Sequence, residues 1–315
     1  MKKRVLFIAA GVVVVAASLL VFQSQKLHME TFTDFVMGSI LTQNLWTGDL
    51  GSPGEEADCI VDVCRALEEE LNNTAEAPAL ALEIMEASGR AFTPYLGVLT
   101  KLWDIDGQAY VPSREEINEA LKQLEVDLGA YGKGAACDAA LRVLENDNYN
   151  VTAAVINLGG NILTYGKKPW NQPFKIALRD PKGGPNDTMG VFTLRGTNFI
   201  STSGSYEKFF ERDGKRYHHI FDPQTGYPAE RELGLISVTV INGNGAIGDM
   251  VSTACFVLGY EASLDLLAQY NCDALFIYED GRVKNAGNAW DYFKLENASF
   301  YWDYADIHET PFWFW

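Results

Sequence analysis

Apolar residues recur along the chain with two periods. From Glu55 to Leu71, Cys59, Val63, Leu67 and Leu71 fall at four-residue steps while Glu68, Glu69 and Glu70 take the wet side, which predicts an amphipathic helix. After Pro112, Ser113 and Glu116 have the spacing of a capping box, and Ile117, Leu121 and Leu124 supply the buried stripe of a second helix. A third is expected from about Gly134 to Glu145, and two more near 246–258 and 260–270. Strand-like runs occupy 153–158, 174–178, 190–195, 234–241 and 274–279. Helices and strands are mixed without the regular alternation of a doubly wound sheet, so an α+β architecture is predicted.

One stretch obeys neither period. Between Lys2-Lys3-Arg4 and Lys26, the run Val5 to Phe22 carries no charge and has Ser18 as its one polar side chain. As a helix rising about 1.5 Å per residue it spans roughly 27 Å, enough to cross a bilayer. Cations ahead of the run place the N-terminus in the cytoplasm and the body on the extracytoplasmic face of the cell membrane. A cleaved signal peptide is the alternative, although Ala16, Ala17 and Ser18 are followed by Leu-Leu-Val-Phe, a poor cleavage context. No cysteine lies near the run, which excludes a lipoprotein-type anchor. The expected organisation is an anchor or signal over 1–26, a body over 27–289 and an aromatic tail over 290–315. That tail either packs back on the body or lies at a membrane surface.

Charge narrows the function. The 315 residues hold 25 Lys+Arg against 42 Asp+Glu, a net charge of −17. So acidic a chain does not hold nucleic acid by neutralising phosphates, and a phosphate ligand calls for a metal ion or a nest of N–H groups. The cysteines, Cys59, Cys64, Cys137, Cys255 and Cys272, are odd in number and scattered. On a helix Cys59 and Cys64 point about 140° apart and do not bridge. No zinc spacing is present, and all five read as small buried hydrophobes.

Four segments hold residue types beyond what packing needs. The glycine-rich turn Asp127 to Gly134 enters a helix, where backbone N–H groups and Lys133 can meet phosphate oxygens; a plain turn is the alternative. Gly159 and Gly160, just after a buried strand, allow close backbone approach to a ligand or simply turn the chain. The densest segment runs from Thr202-Ser203 through His218-His219 to Asp222-Pro223-Gln224-Thr225-Gly226. His219 is suited to take a proton from a hydroxyl nucleophile, with Asp222 orienting its ring or holding part of a nucleotide. His218, its extended neighbour, points to the opposite face. Finally, Asp249 and Thr253 stand at i and i+4 on one helix face, an all-oxygen pair suited to Mg²⁺, or simply an Asp favoured by the helix dipole near the N-terminus and a Thr that packs.

Taken in order, these segments resemble the ApbE family of FAD:protein FMN transferases from about Met37 to about Gly287. The resemblance is carried by TSGSYEKFFERDGKRYHHIFDPQTGYP (202–228), SGRAF (88–92), DLGAYGKGAACD (127–138), NLGGNI (157–162) and the Asp249/Thr253 pair after SVTVI. It implies an ApbE-like fold, related to the T-fold, of mixed sheets with flanking helices. By the same resemblance Met37, Ala91, Phe92, Thr93, Lys133 and Asp138 match positions that hold FAD, with Gly159, Gly160, Ser203 and Thr225 beside them. Asp249, Thr253 and the carbonyl of Ala136 match Mg²⁺ ligands. The implied reaction transfers FMN from FAD to a Thr or Ser hydroxyl of an acceptor flavoprotein, an extracytoplasmic redox subunit, and releases AMP. A non-catalytic flavin-binding surface protein and an FAD hydrolase giving FMN and AMP are the alternatives. Three departures from the family stand out: Thr93 replaces the usual Asp, the stretch 67–85 is shortened, and no strand pair lies between Leu124 and Asp127.

Overall fold

The computed structural model describes residues 28–48, 52–127, 129, 131–146 and 148–304. The uncharged N-terminal run and the last eleven residues of the aromatic tail lie outside them. Among the described residues no helix is long and apolar enough to cross a membrane.

A hairpin of β1 (His28–Val36) and β2 (Ser39–Thr47) comes first. Helices α1 (Gly54–Asn73), α2 (Ala79–Ala87), α3 (Gly97–Trp103), α4 (Arg114–Ala120) and α5 (Gly132–Leu144) follow. A second hairpin, β3 (Val151–Leu158) and β4 (Asn161–Gly166), leads into β5 (Phe174–Arg179), β6 (Thr188–Leu194) and β7 (Asn198–Gly204). The small ribbon β8 (Phe209–Arg212) and β9 (Lys215–His218) precedes β10 (Leu235–Asn242), α6 (Gly245–Leu258) and α7 (Tyr260–Gln269). The chain closes with β11 (Asp273–Tyr278), β12 (Arg282–Ala286), α8 (Ala289–Tyr292), β13 (Phe293–Leu295) and β14 (Tyr301–Trp302).

Nine strands form the central sheet in the order β1-β2-β3-β4-β7-β10-β11-β12-β14, antiparallel except for the last pair. Over one face, α1 and α5 pack on the first strands through Leu41, Leu45, Ile60, Cys64 and Ala140. Farther along the same face, α2, α6 and α7 pack through Ile84, Val251, Leu266 and Phe276. The opposite face is covered by a three-stranded sheet, β13-β6-β5, through Phe174, Phe192 and Leu275. Strand β3 is sandwiched: Ala154, Ile156 and Leu158 face the helices while Ala153 and Val155 face the second sheet. Burial on both faces is why its sequence reads as a nearly continuous apolar run.

The expected capping box is present at α4: Glu116 N–H donates to Ser113 Oγ at 3.3 Å, and Ser113 N–H donates to Glu116 Oε2 at 2.8 Å. The predicted stripe is shorter than expected. The helix ends at Ala120, and Leu124 is 78% exposed, so only Ile117 and Leu121 pack. The aromatic tail packs back on the body as far as Trp302, since β13 completes the second sheet, Phe293 and Phe300 are buried, and Trp302 pairs with β12 and meets the Phe293 ring; Tyr304 is exposed.

Candidate active site

Helices α5 and α6 cross with glycines in contact. A Cβ on Gly134 would strike the Gly245 carbonyl and come within 2.6 Å of Asp249 Cβ. This approach seats the Asp249 carboxylate under the first turn of α5, where Oδ2 accepts from Gly134 N–H at 2.9 Å and Oδ1 from Asn161 Nδ2 at 3.3 Å. One turn on, Thr253 donates its hydroxyl to the Asp249 carbonyl at 3.2 Å and stands 3.2 Å from Ser203 Oγ. Ser203 in turn meets Ser252 Oγ at 2.9 Å. Ala136 is buried in the same turn of α5.

Asp249 is buried, and among the described residues no cationic side chain pairs with it. Beside it, Asn161 Oδ1 is buried without a hydrogen-bond partner. A buried carboxylate and an orphaned carbonyl oxygen are costly unless something positive compensates them. The surrounding donors are hard oxygens, which suit Mg²⁺ and not zinc. Among the described residues no three or more His, Cys, Asp or Glu side chains gather to hold a metal, so a cation here relies on one carboxylate with hydroxyl and carbonyl oxygens.

The N-terminus of α5 opens beside this cluster. Tyr131 at its N-cap makes no side-chain bond and Asp249 takes the Gly134 N–H, which leaves the Gly132 and Lys133 N–H groups to meet an anion. Met37, in the β1–β2 turn, reaches over it: a Cβ on Gly132 would lie 2.9 Å from Met37 Cε. A Cβ on Gly159 would collide with Ser39 Oγ and lie 3.3 Å from Lys133 Cδ. Met37, Ser39, Lys133 and Gly159 therefore share one end of the sheet with Asp249.

The ribbon β8–β9 presents the histidines to opposite sides. His218 is buried; its Nδ1 accepts from Ile220 N–H at 3.3 Å, its Nε2 donates to the Ala229 carbonyl at 3.2 Å, and its ring edge meets Phe256. His219 holds its Nδ1 3.3 Å from the Lys208 carbonyl. That pairing requires an Nδ1–H and leaves Nε2 as the basic nitrogen. Burial pushes both pKa values down to about 4; the His219 charge also opposes protonation of His218, and Lys133 and Lys208 oppose protonation of His219. The influence of Lys133 ties the histidine loop to the α5 end.

Of the two roles expected of Asp222, orienting the His219 ring does not occur, because its carboxylate bonds elsewhere. It is buried and bidentate to Arg231, at 2.6 Å to Nε and 2.8 Å to Nη2, and it also accepts from Gln224 N–H at 2.9 Å. Burial raises its pKa, but Arg231 and the backbone N–H outweigh this and hold it below the usual carboxylate range. Its work is to fold the Asp-Pro-Gln-Thr-Gly turn, whose Gly226 carbonyl then accepts from Trp103 Nε1 at 2.9 Å.

A family model described as the ApbE family matches residues 66–276. The chain belongs to the ApbE family. The FAD:protein FMN transferase of Treponema pallidum is 36% identical over 251 residues, covering 67% of each chain. That of Klebsiella pneumoniae is 36% identical over 210 residues, covering 59% of this chain and 63% of the relative. The chain thus spans about two thirds of the length of these relatives. Among solved structures, the ApbE protein of Thermotoga maritima superposes with a TM-score of 0.70 at 27% identity, covering 84% of this chain and 99% of that one. The apo flavinyl transferase ApbE of Pseudomonas stutzeri gives 0.65 at 26% identity, covering 84% and 96%.

Other positions matched to ApbE motifs have varied settings. Ala91 and Phe92 are closed into the core, at 2% and 1% exposure, which leaves Thr93 as the half-buried member of the trio; its hydroxyl accepts from Tyr95 N–H at 3.3 Å. Asp138 is committed to the start of α6, accepting from Gly245 and Ala246 N–H at 2.8 Å each. A direct contact with FAD would compete with those bonds. Thr225 is exposed in the turn, and Gly160 faces open space. Asn161, Ser252 and Ser39 also belong to the site, and Asn161 closes the paired-glycine segment of the sequence. Surface depressions between α3 and α4 and between α1 and α5 contain none of these residues.

Proposed function

We propose that this protein transfers the FMN half of FAD to a Thr or Ser hydroxyl of an acceptor flavoprotein, with Mg²⁺ held by Asp249, Thr253 and the Ala136 carbonyl. The observation that carries this reading is the buried Asp249 carboxylate, paired with no cation among the described residues, under the first turn of α5, where Lys133 and the Gly132 and Lys133 N–H groups are left for an anion. In an acidic chain it marks a place built for a diphosphate with its counter-ion. Mg²⁺, when bound, supplies charge neutralisation of the diphosphate.

The chain's own residues account for the remaining work. Lys133 and the first N–H groups of α5 bind the diphosphate and stabilise charge on departing AMP. The acceptor oxygen attacks the phosphorus of the FMN half, forming a phosphoester as the bridge to the AMP phosphate breaks. His219 takes the hydroxyl proton at Nε2, the nitrogen left basic by the Lys208 carbonyl.

The test incubates the full chain with FAD, Mg²⁺ and a candidate acceptor domain and follows AMP and acceptor mass together. AMP in step with a mass gain of one FMN is the expected result. AMP without a mass gain makes the protein an FAD hydrolase, and FAD binding without AMP makes it a flavin carrier. Asp249→Ala should abolish AMP release, chelation should do the same to the wild type, and added Mg²⁺ should restore it. Full activity in Asp249→Ala would remove the metal assignment.

A further inference from the structure

The end of the large sheet opposite the candidate site carries an exposed tryptophan among cations. Strand register fixes the geography: Val36, Ser39 and Leu158 lie at one end, and His28, Thr47, Val151 and Gly166 at the other. Past Gly166 the chain runs Lys167-Lys168-Pro169-Trp170, and Trp170 is 72% exposed. Trp170 and Asn171 are both left-handed, with φ 52° and 54°, and Arg195 donates to the Asn171 carbonyl. Lys168 Nζ lies 4.9 Å from the centroid of the Trp46 ring, at the same end.

The charge here opposes that of the whole. From Asn148 to Lys175 and from Thr188 to Asn198 there is no Asp or Glu, yet these stretches hold Lys167, Lys168, Lys175 and Arg195 in a chain of net charge −17. Among the described residues no carboxylate pairs with Lys167, Lys168 or Arg195. Of the acids at this end, Glu30 is engaged by His28 and Ser52, and the buried Glu56 accepts from Asn150 N–H.

We infer that the Lys167–Asn171 loop, with Arg195, seats on a bilayer surface bearing anionic lipids. An exposed Trp flanked by Lys and Arg that no described carboxylate neutralises suits the headgroup region, where the indole is amphipathic and the cations meet lipid phosphates. The chain's own length supports the same face. Five residues separate Phe22, the end of the uncharged run, from His28, so the loop end of the sheet lies within about 20 Å of that run. This orientation rests on the membrane reading of Val5 to Phe22, whereas the charge and the tryptophan stand without it. Strand β1 has nine residues and rises about 30 Å, so the candidate site faces away from the bilayer.

The experiment uses the full chain with vesicles of phosphatidylcholine alone or mixed with phosphatidylglycerol, the acyl chains brominated near the headgroup. Tryptophan quenching is compared in the wild type, Trp170→Phe and the triple variant Lys167→Ala/Lys168→Ala/Arg195→Ala. In anionic vesicles the wild type should be quenched more than Trp170→Phe. That difference should vanish in neutral vesicles, at about 0.5 M salt, and in the triple variant, each lost cation weakening loop docking roughly five-fold. Equal quenching of wild type and Trp170→Phe overturns the proposal. Flotation separates the two readings. A chain that floats with neutral vesicles at high salt has a membrane segment whatever the loop does, and one that floats only with anionic vesicles through Trp170 keeps the loop contact and loses the anchor.

Discussion

Burial keeps both members of the histidine pair neutral, with different consequences. For His218 the folded pKa of about 4 lies below the unfolded value near 6.5. The unfolded state therefore binds more protons between these values, and stability falls as pH drops through that window while staying unaffected above it. The cost by pH 4 is on the order of 3 kcal/mol. Chemical denaturation of wild type and His218→Gln between pH 7 and 4.5 should show a shallower decline in the variant. His219 is already the free base at neutral pH, so transfer should be nearly pH-independent from about 6 to 8 and weaken only as pH approaches the value near 4. His219→Ala should lower the transfer rate by roughly 10²–10⁴-fold with FAD affinity little changed. Measuring rate and affinity in both histidine variants checks this, and an equal loss in the two would place the base elsewhere.

At the level of elements, the α5–α6 crossing sets the site. Gly134→Ala would push α6 away and take the Gly134 N–H from Asp249. Overpacking of this kind costs about 1–3 kcal/mol, so a lowered melting temperature together with lost AMP release is expected, read by thermal unfolding beside the activity assay. The same scale shows what was legible in the sequence. Strands β3, β5, β6, β10 and β11 and helices α1 and α4–α7 announce themselves because their apolar residues follow period or form runs. Strand β2 does not, since Gln43 is buried between Leu41 and Leu45 and donates to the Ala57 carbonyl at 3.1 Å. Strand β7 is hidden in the same way by its buried Ser201 and Ser203. Asp249, Thr253 and Lys133 draw notice through the resemblance to ApbE motifs more than through spacing, whereas the tie between Asp222 and Arg231 has no signal at all, because Asx turns and ion pairs leave the same residue types in a sequence.

Across the whole molecule, the candidate site gathers residues from Met37 to Thr253 at one end of a sheet in a protein of net charge −17. The general field repels an anionic dinucleotide while the local α5 end attracts it. Raising ionic strength from about 0.01 to 0.15 M should screen the long-range repulsion first, so FAD association should quicken, by roughly two- to five-fold. Stopped-flow flavin fluorescence over that range checks the sign, and slowing would mean that attraction by Lys133 governs the encounter.

The five cysteines remain free, and four of them are buried. Burial drives Cys64, Cys255 and Cys272 up to about 12 and pushes Cys137 well above its ordinary value. Because the thiolate is the reactive form, these sulfurs stay silent toward alkylating and oxidising reagents while the fold is closed. Cys64 and Cys137 lie under α1 and α5, Cys255 and Cys272 under α6 and α7. The molecule therefore carries two native clocks, one in each half of the helical layer, and the order in which a thiol reagent reaches them reports which half opens first.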